Sequence, residues 1–151
     1  MLCYLGIGAN LGEREENITQ AVQELNNSGE IRVLRQAAIR ETLPYGNTNQ
    51  PMFLNTVTEI ETEISAQQLL ALCLQIETRM GRRRRQHWEP RIIDIDILFY
   101  GDEIIKSDDL VIPHPDLQNR KFVLDSLLEL CPHWQHPVLK KSIADIAAMV
   151  K

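Results

Sequence analysis

The chain has 151 residues, of which 44% are hydrophobic and 25% charged, a composition that predicts one globular domain over residues 1–151. Its formal net charge of -5 argues against a general nucleic-acid binder, which needs a basic excess to displace counterions from phosphates. The 3 cysteines lack the spacing of a metal site and indicate reduced thiols. No apolar run reaches the roughly 18 residues of a membrane span, so we expect a cytoplasmic protein.

The first half of the chain predicts a strand, a helix and two further strands. An apolar run from Leu2 to Gly8 predicts the first strand, and apolar residues at helical spacing then predict a helix that ends near Gly29. Residues 31–41 and 53–64 predict the second and third strands, separated by a loop rich in turn-forming residues. The early glycines are spaced G-x-G-x-x-x-G, one residue off a dinucleotide-binding fingerprint, which favours a tight turn.

The second half predicts another helix and strand, followed by a helical extension. Ser65 predicts the cap of a helix that runs to about Met80, and residues 92–100 predict the fourth strand. Further helices are expected near residues 122–130 and 142–150. The order β-α-β-β-α-β predicts an α+β, ferredoxin-like core whose antiparallel sheet is covered by helices, plus a C-terminal helical extension.

Two aspartates in the fourth strand give the clearest chemical signal. Because side chains alternate along a strand, Asp94 and Asp96 should share one face, with isoleucines on the other. Two such carboxylates can hold magnesium, which binds carboxylate oxygens and substrate phosphates, although an edge strand also uses charge for solubility alone. The arginines at 82–85 and Arg91 favour the first interpretation, because guanidinium groups bind phosphate. The segment therefore predicts a nucleotide site.

A set of short motifs, spread in order over nearly the whole chain, resembles a known enzyme family. The motifs are G-x-N-L-G at 8–12, Q-P-x-F-L-N at 50–55, G-R at 81–82, W-x-P-R at 88–91, D-I-D-I at 94–97, P-H-P at 113–115 and N-R-x-F at 119–122. Each is weak alone, but the ordered set resembles the 6-hydroxymethyl-7,8-dihydropterin pyrophosphokinases of folate biosynthesis, in their monofunctional form. The resemblance implies transfer of the terminal pyrophosphoryl group of ATP to the pterin hydroxymethyl oxygen, releasing AMP.

The resemblance also assigns three groups of site residues. The catalytic group is Arg82, Arg91, Asp94 and Asp96, and the two aspartates would hold two magnesium ions. The residues expected to contact ATP are Glu77, Arg84, Trp88, Ile97, His114 and Arg120. The residues expected to contact the pterin are Thr42, Pro44, Tyr45, Phe53, Asn55 and Phe122. Two phenylalanines can hold a flat ring between them, and an asparagine offers its edge a donor and an acceptor.

Simpler structural roles stay open for several of these residues. Phe53 and Phe122 can be core residues, Glu77 can pair with a nearby arginine, and His114 can be a turn residue between two prolines. The chain departs from the family pattern at three positions. Glu89 stands where glycine is common, His87 where a basic residue is common and Leu43 where proline is common. A carboxylate at Glu89 could meet an arginine or weaken phosphate binding.

Two other functions remain possible from the sequence. One is a magnesium-dependent phosphoryl or nucleotidyl transferase that acts on another substrate. The other is a non-enzymatic ferredoxin-like module that binds RNA through the arginines at 82–85, although its sheet offers few aromatic residues for stacking. We expect a monomer whose partners are small molecules, without nucleic acid or membrane.

Overall fold

The computed structural model describes residues 1–9, 11–42, 52–81 and 92–150. The strands of its main sheet are β1 (Leu2–Ala9), β2 (Ile31–Gln36), β3 (Arg40–Thr42), β4 (Phe53–Thr62) and β5 (Asp94–Tyr100). Their order is β2-β4-β1-β5, every neighbouring pair is antiparallel, and β3 pairs with β4 beside β2. This arrangement confirms the predicted ferredoxin-like core.

Helices cover both faces of the sheet. Their bounds are α1 (Arg14–Asn26), α2 (Ala66–Gly81), α3 (Lys121–Leu130) and α4 (Ile143–Met149). Helices α1 and α2 pack on one face, whereas α3 and α4 pack on the other. A 3-10 turn, Leu117–Asn119, precedes α3, and the short strands β6 (Ile105–Lys106) and β7 (Val111–Ile112) form a small hairpin. Among the described residues, no helix has both the length and the apolar character that crossing a membrane requires.

The helix ends follow local sequence signals. Helix α2 begins with a capping box, in which the Gln68 N–H donates to Ser65 Oγ at 3.1 Å and the Ser65 N–H donates to Gln68 Oε1 at 2.9 Å. The Asp145 N–H donates to Ser142 Oγ at 3.1 Å at the start of α4. After α1, Gly29 has a φ of 84°, which glycine adopts without strain. These three ends confirm the predicted ones.

A β-bulge in β5 decides how much apolar surface each face receives. Ile97 pairs with Leu5 and Phe99 pairs with Tyr4, so Leu98 is the extra residue between them. Leu98 and Phe99 therefore both face α3, while Ile97 is buried against α1 and α2. Simple alternation along the strand does not predict this shift.

The strand predicted over residues 31–41 is wrong as a single element. Strand β2 ends at Gln36, and β3 begins only at Arg40. Between them, the Ala38 N–H donates to the Glu129 carboxylate, with oxygen distances of 3.2 and 3.1 Å. Because this side chain from α3 takes the Ala38 N–H, the segment leaves the sheet ladder at that residue, and pairing with β4 resumes at Arg40.

Candidate active site

A cavity of about 320 Å³ opens at one end of the sheet, on the face covered by α3. Its floor is β1, where Gly6 and Gly8 bring no side chains. In the sheet register, Gly8 lies between Asn55 of β4 and Asp94 of β5. A Cβ atom at Gly8 would lie 2.7 Å from Asn55 Oδ1, so any side chain at this position would displace the Asn55 amide. The glycines of β1 therefore leave the space for the cavity, and the sheet register places Asn55 and Asp94 on its two sides.

The expected tight turn accounts for only one of the early glycines. Gly12 has a φ of 65° and lies in a turn, whereas Gly6 and Gly8 belong to β1 itself. The predicted strand from Leu2 to Gly8 is confirmed for those two residues, and the predicted turn applies to Gly12 alone. The sequence did contain a signal for a face without side chains: Gly6 and Gly8 are two residues apart, and residues two apart on a strand share a face.

The aspartate pair lies at the side of this cavity. Asp94 is half-buried and Asp96 is exposed, and both line the cavity from β5. Ile95, between them, is buried in the core of the opposite face, which confirms the predicted alternation. Ile97 is only 5% exposed and its side chain packs in that same core. The structure therefore does not bring the Ile97 side chain to the cavity.

Glu77 reaches β5 from α2 and contacts the backbone between the two aspartates. Its Oε2 atom accepts a hydrogen bond from the Ile95 N–H at 2.6 Å. The side chain is half-buried, as predicted from its position beside the apolar stripe of α2. This contact holds the strand segment that carries the carboxylates.

The segment before α3 brings His114 close to Asp96 and places Arg120 in the lining of the same cavity. The His114 N–H donates to the Leu98 carbonyl at 3.0 Å, which ties this segment to the end of β5. The His114 Nε2 atom lies 3.9 Å from Asp96 Oδ2, and Nδ1 accepts from the Asp116 N–H at 3.2 Å. Burial lowers the pKa of His114, although Asp96 opposes this effect. The neutral ring therefore carries its hydrogen on Nε2, facing Asp96.

The opposite side of the cavity has an aromatic and amide lining. Phe53 of β4 and Phe122 of α3 are half-buried and both line the cavity. The Asn55 side-chain amide donates to Thr42 Oγ1 at 2.7 Å, and Thr42 pairs with Phe53 across the β3–β4 ladder. Four of the residues predicted to contact the pterin thus line one cavity. Sequence reasoning did not identify Val57, Leu98, Val123 and Ser126, which line it too.

Several predicted site residues lie outside the described residues. They are Pro44, Tyr45, Arg82, Arg84, Trp88 and Arg91, together with the departures at Leu43, His87 and Glu89 and with Asn10 of the first motif. In the part of the chain that the structure describes, no group of three histidine, cysteine, aspartate or glutamate side chains has the arrangement of a metal site. Asp94 and Asp96 are therefore the carboxylates that the described cavity offers to a ligand.

Known proteins match this chain over most of its length. Residues 4–132 match the family 7,8-dihydro-6-hydroxymethylpterin-pyrophosphokinase. The protein named 2-amino-4-hydroxy-6-hydroxymethyldihydropteridine pyrophosphokinase in Methylorubrum extorquens is 41% identical to this chain. The match covers 85% of this chain and 82% of that protein. The protein of the same name from Bacillus subtilis is 40% identical, covering 86% and 78%. Folic acid synthesis protein fol1 of Schizosaccharomyces pombe is 43% identical, but the match covers only 19% of that longer protein.

Solved structures show the same fold. The crystal structure of Plasmodium falciparum HPPK-DHPS with pteroate superposes with a TM-score of 0.79 at 17% identity. The match covers 98% of this chain and 42% of the Plasmodium chain, so this chain spans less than half of that protein.

Proposed function

This chain belongs to the 7,8-dihydro-6-hydroxymethylpterin-pyrophosphokinase family, and we propose that it transfers a pyrophosphoryl group from ATP to 6-hydroxymethyl-7,8-dihydropterin. AMP is the second product, and the reaction belongs to tetrahydrofolate biosynthesis. One observation carries the proposal: a single cavity joins two aspartates to a slot lined by two phenylalanines and an asparagine. The reaction needs both parts of the cavity, because the polyphosphate of ATP must be held next to the flat ring of the pterin.

The pterin fits the aromatic and amide side of the cavity. Phe53 and Phe122 can hold the two faces of the ring, and Asn55 can bind its edge. The contact from Asn55 to Thr42 fixes the orientation of the amide before substrate arrives. In this position, the hydroxymethyl group would point along the floor of β1 toward the aspartates.

Asp94 and Asp96 have the donor chemistry for magnesium. Both are hard oxygen ligands on one face of β5, and the Asp96 side chain is 51% exposed, so it is open to phosphate and water. Magnesium typically binds one or two protein carboxylates and completes its shell with substrate phosphates and water, so two aspartates suffice. We propose two ions at this pair. When bound, the ions would neutralise the charge of the triphosphate and would align the attacking and leaving oxygens.

The cationic and N–H donors around the aspartates would bind the phosphates. His114 presents its Nε2 hydrogen and Arg120 its guanidinium from the same segment. Phosphoryl transfer depends mainly on positioning and on stabilising charge, so fixed donors of this kind are the expected apparatus. Roles for Arg82, Arg84, Trp88 and Arg91 over the phosphates rest on the family resemblance and stay predictions.

The proposal extends to how the protein operates. We propose a monomer in the cytoplasm that binds ATP and pterin and does not bind nucleic acid. The acidic net charge of -5 supports the last point.

AMP formation from magnesium-ATP tests the proposed reaction directly. We expect AMP only when 6-hydroxymethyl-7,8-dihydropterin is present, and none after magnesium is removed with EDTA. The matched control substrate is 6-methyl-7,8-dihydropterin, which keeps the ring but lacks the attacking hydroxyl, and should give no AMP. AMP in the absence of pterin would indicate hydrolysis or another acceptor. No AMP with the intact pterin would contradict the proposal.

A further inference from the structure

Ser126 is one of the residues that line the cavity. It lies on α3, one helical turn after Phe122. The residue is only 2% exposed, and its neighbours in the lining, Val57, Leu98 and Val123, are apolar. A buried hydroxyl in apolar surroundings needs hydrogen-bond partners.

The hydrogen bonds of Ser126 leave its proton available. Ser126 Oγ accepts a hydrogen bond from Arg40 Nη1 at 2.9 Å. A helical serine or threonine often donates to the carbonyl four residues earlier, as Thr19 Oγ1 does to the Glu15 carbonyl at 3.1 Å. Among the described residues, Ser126 Oγ makes no such donation. Its hydrogen can therefore serve an acceptor that enters the cavity.

Arg40 is fixed behind this hydroxyl by several acceptors. Besides Ser126, its guanidinium donates to the Ala38 carbonyl at 3.1 Å and to Glu129 Oε1 at 3.1 Å. The same short strand, β3, brings Thr42 into the cavity. Because a charged donor polarises the hydroxyl that accepts from it, the Ser126 hydrogen becomes a stronger donor.

We propose that Ser126, held by Arg40, is a further recognition residue, whose hydroxyl donates a hydrogen bond to an acceptor on the edge of the bound heterocycle. This inference rests on the proposed function. Side chains four residues apart on a helix are neighbours, so the Ser126 hydroxyl lies at the edge of a ring that stacks on Phe122. We place the hydroxyl at the edge of the dihydropterin that carries the C4 carbonyl oxygen and the unprotonated nitrogen N5, which are the two acceptors on that edge. A ring with a carbon or an N–H at the contact would be discriminated against.

Ser126→Ala tests the contact through the kinetics of AMP formation. We expect the KM for 6-hydroxymethyl-7,8-dihydropterin to rise about 3- to 10-fold, the effect of one hydrogen bond. The KM for ATP and kcat should change less than about 2-fold, because Ser126 lies on the pterin side. Ser126→Cys keeps a side chain of similar size with a weak donor, and should give an intermediate KM. Thr19→Ala removes a helical hydroxyl outside the cavity and is the matched control.

Substrate analogues separate recognition from a structural role. The wild type and Ser126→Ala are compared on the 5-deaza and 4-deoxo analogues, each of which lacks one ring acceptor. We expect the KM difference between the two proteins to vanish for one analogue. An unchanged KM with the natural substrate, or an equal rise with every analogue, would overturn the inference. Failure of the proposed function would be distinguishable, because then the wild type itself would form no AMP with the pterin.

Discussion

The two ends of the sheet face beneath α3 and α4 differ in how β1 fills them. At one end, Tyr4 packs edge-on against Phe99 and Trp134, with ring centroids 6.3 and 5.0 Å away. At the other end, the same strand presents Gly6 and Gly8, and the cavity opens above them. All three β1 residues are two apart and share this face. The cavity therefore exists because β1 lacks side chains there.

The carboxylates at the two ends show the same contrast. Glu59, at the filled end, is 7% exposed and accepts from Tyr4 Oη at 2.6 Å and from two nitrogens of Arg35 at 2.9 and 2.8 Å. Asp96, at the open end, is half exposed, and its distance to His114 Nε2 is 3.9 Å. A carboxylate that the protein surrounds with close donors stabilises the fold. One left exposed beside a cavity can bind a ligand.

Asp96→Ala should give the largest difference between the two ends. Loss of one of the two carboxylates should lower magnesium-dependent AMP formation by about 10³-fold, because the metal ions would keep only Asp94 of the pair that holds them. The free energy of unfolding should change by less than about 0.5 kcal/mol, since the residue is exposed. Steady-state kinetics and urea denaturation measure the two effects.

Asp102→Ala, in the turn after β5, is the matched control, because it removes an exposed carboxylate that does not line the cavity. It should leave AMP formation unchanged. Turnover near the wild-type level in Asp96→Ala would contradict the assignment of the metal to this pair.

Gly8→Ala should change substrate binding at the open end. The added methyl group would lie 2.7 Å from Asn55 Oδ1, so the amide must move from the position that Thr42 now holds. We expect the KM for the pterin to rise about 10- to 100-fold, equivalent to about 1.4–2.7 kcal/mol, within the usual cost of overpacking. The KM for ATP should change much less.

Gly6→Ala is the companion variant for this test. A Cβ atom at Gly6 would lie 3.6 Å from the Leu98 side chain, an ordinary contact distance. Its effect on the pterin KM should therefore be several-fold smaller. If the two variants behaved alike, crowding of the cavity floor in general, rather than displacement of Asn55, would be the cause.

Much of the fold could be predicted because local signals agreed with one another. The capping box at Ser65 and the apolar periodicity of α2 indicate the same helix, and the alternation in β5 predicted the faces of Asp94 and Asp96. The break between β2 and β3 could not be predicted. It depends on Glu129, which lies 91 residues from Ala38 in the chain and meets its backbone only in the folded protein.

The site could be predicted in part. The family motifs identified more of its residues than the periodicity and residue chemistry of the sequence did. Thr42, Phe53, Asn55 and Phe122 look like ordinary strand and core residues until the sheet register brings them together. Ser126 has no motif at all, because its role depends on Arg40 from another element. Residues whose function arises from packing between distant elements leave no local pattern in the sequence.

Tyr4→Phe should affect the filled end alone. The substitution removes the hydrogen bond to Glu59 but leaves both bonds from Arg35 in place. We expect the free energy of unfolding to fall by about 1.5 kcal/mol at pH 7, the low end of the range for a hydrogen bond to a charged group. The KM values and kcat should stay within about 2-fold of the wild type. Urea denaturation and AMP formation measure the two effects.

The pH dependence of this variant identifies Glu59 as the group responsible. Hydrogen bonds from Arg35 and then from Tyr4 lower the pKa of Glu59 below its ordinary 4.5, against the opposing effect of burial. The stabilisation is therefore complete above pH 4.5 and is lost as the pH falls through the lowered pKa. The difference in unfolding free energy between wild type and Tyr4→Phe should accordingly shrink in acid. A difference that is constant from pH 7 to pH 3 would instead indicate that the Tyr4 hydroxyl stabilises the filled end without depending on the charge of the Glu59 carboxylate.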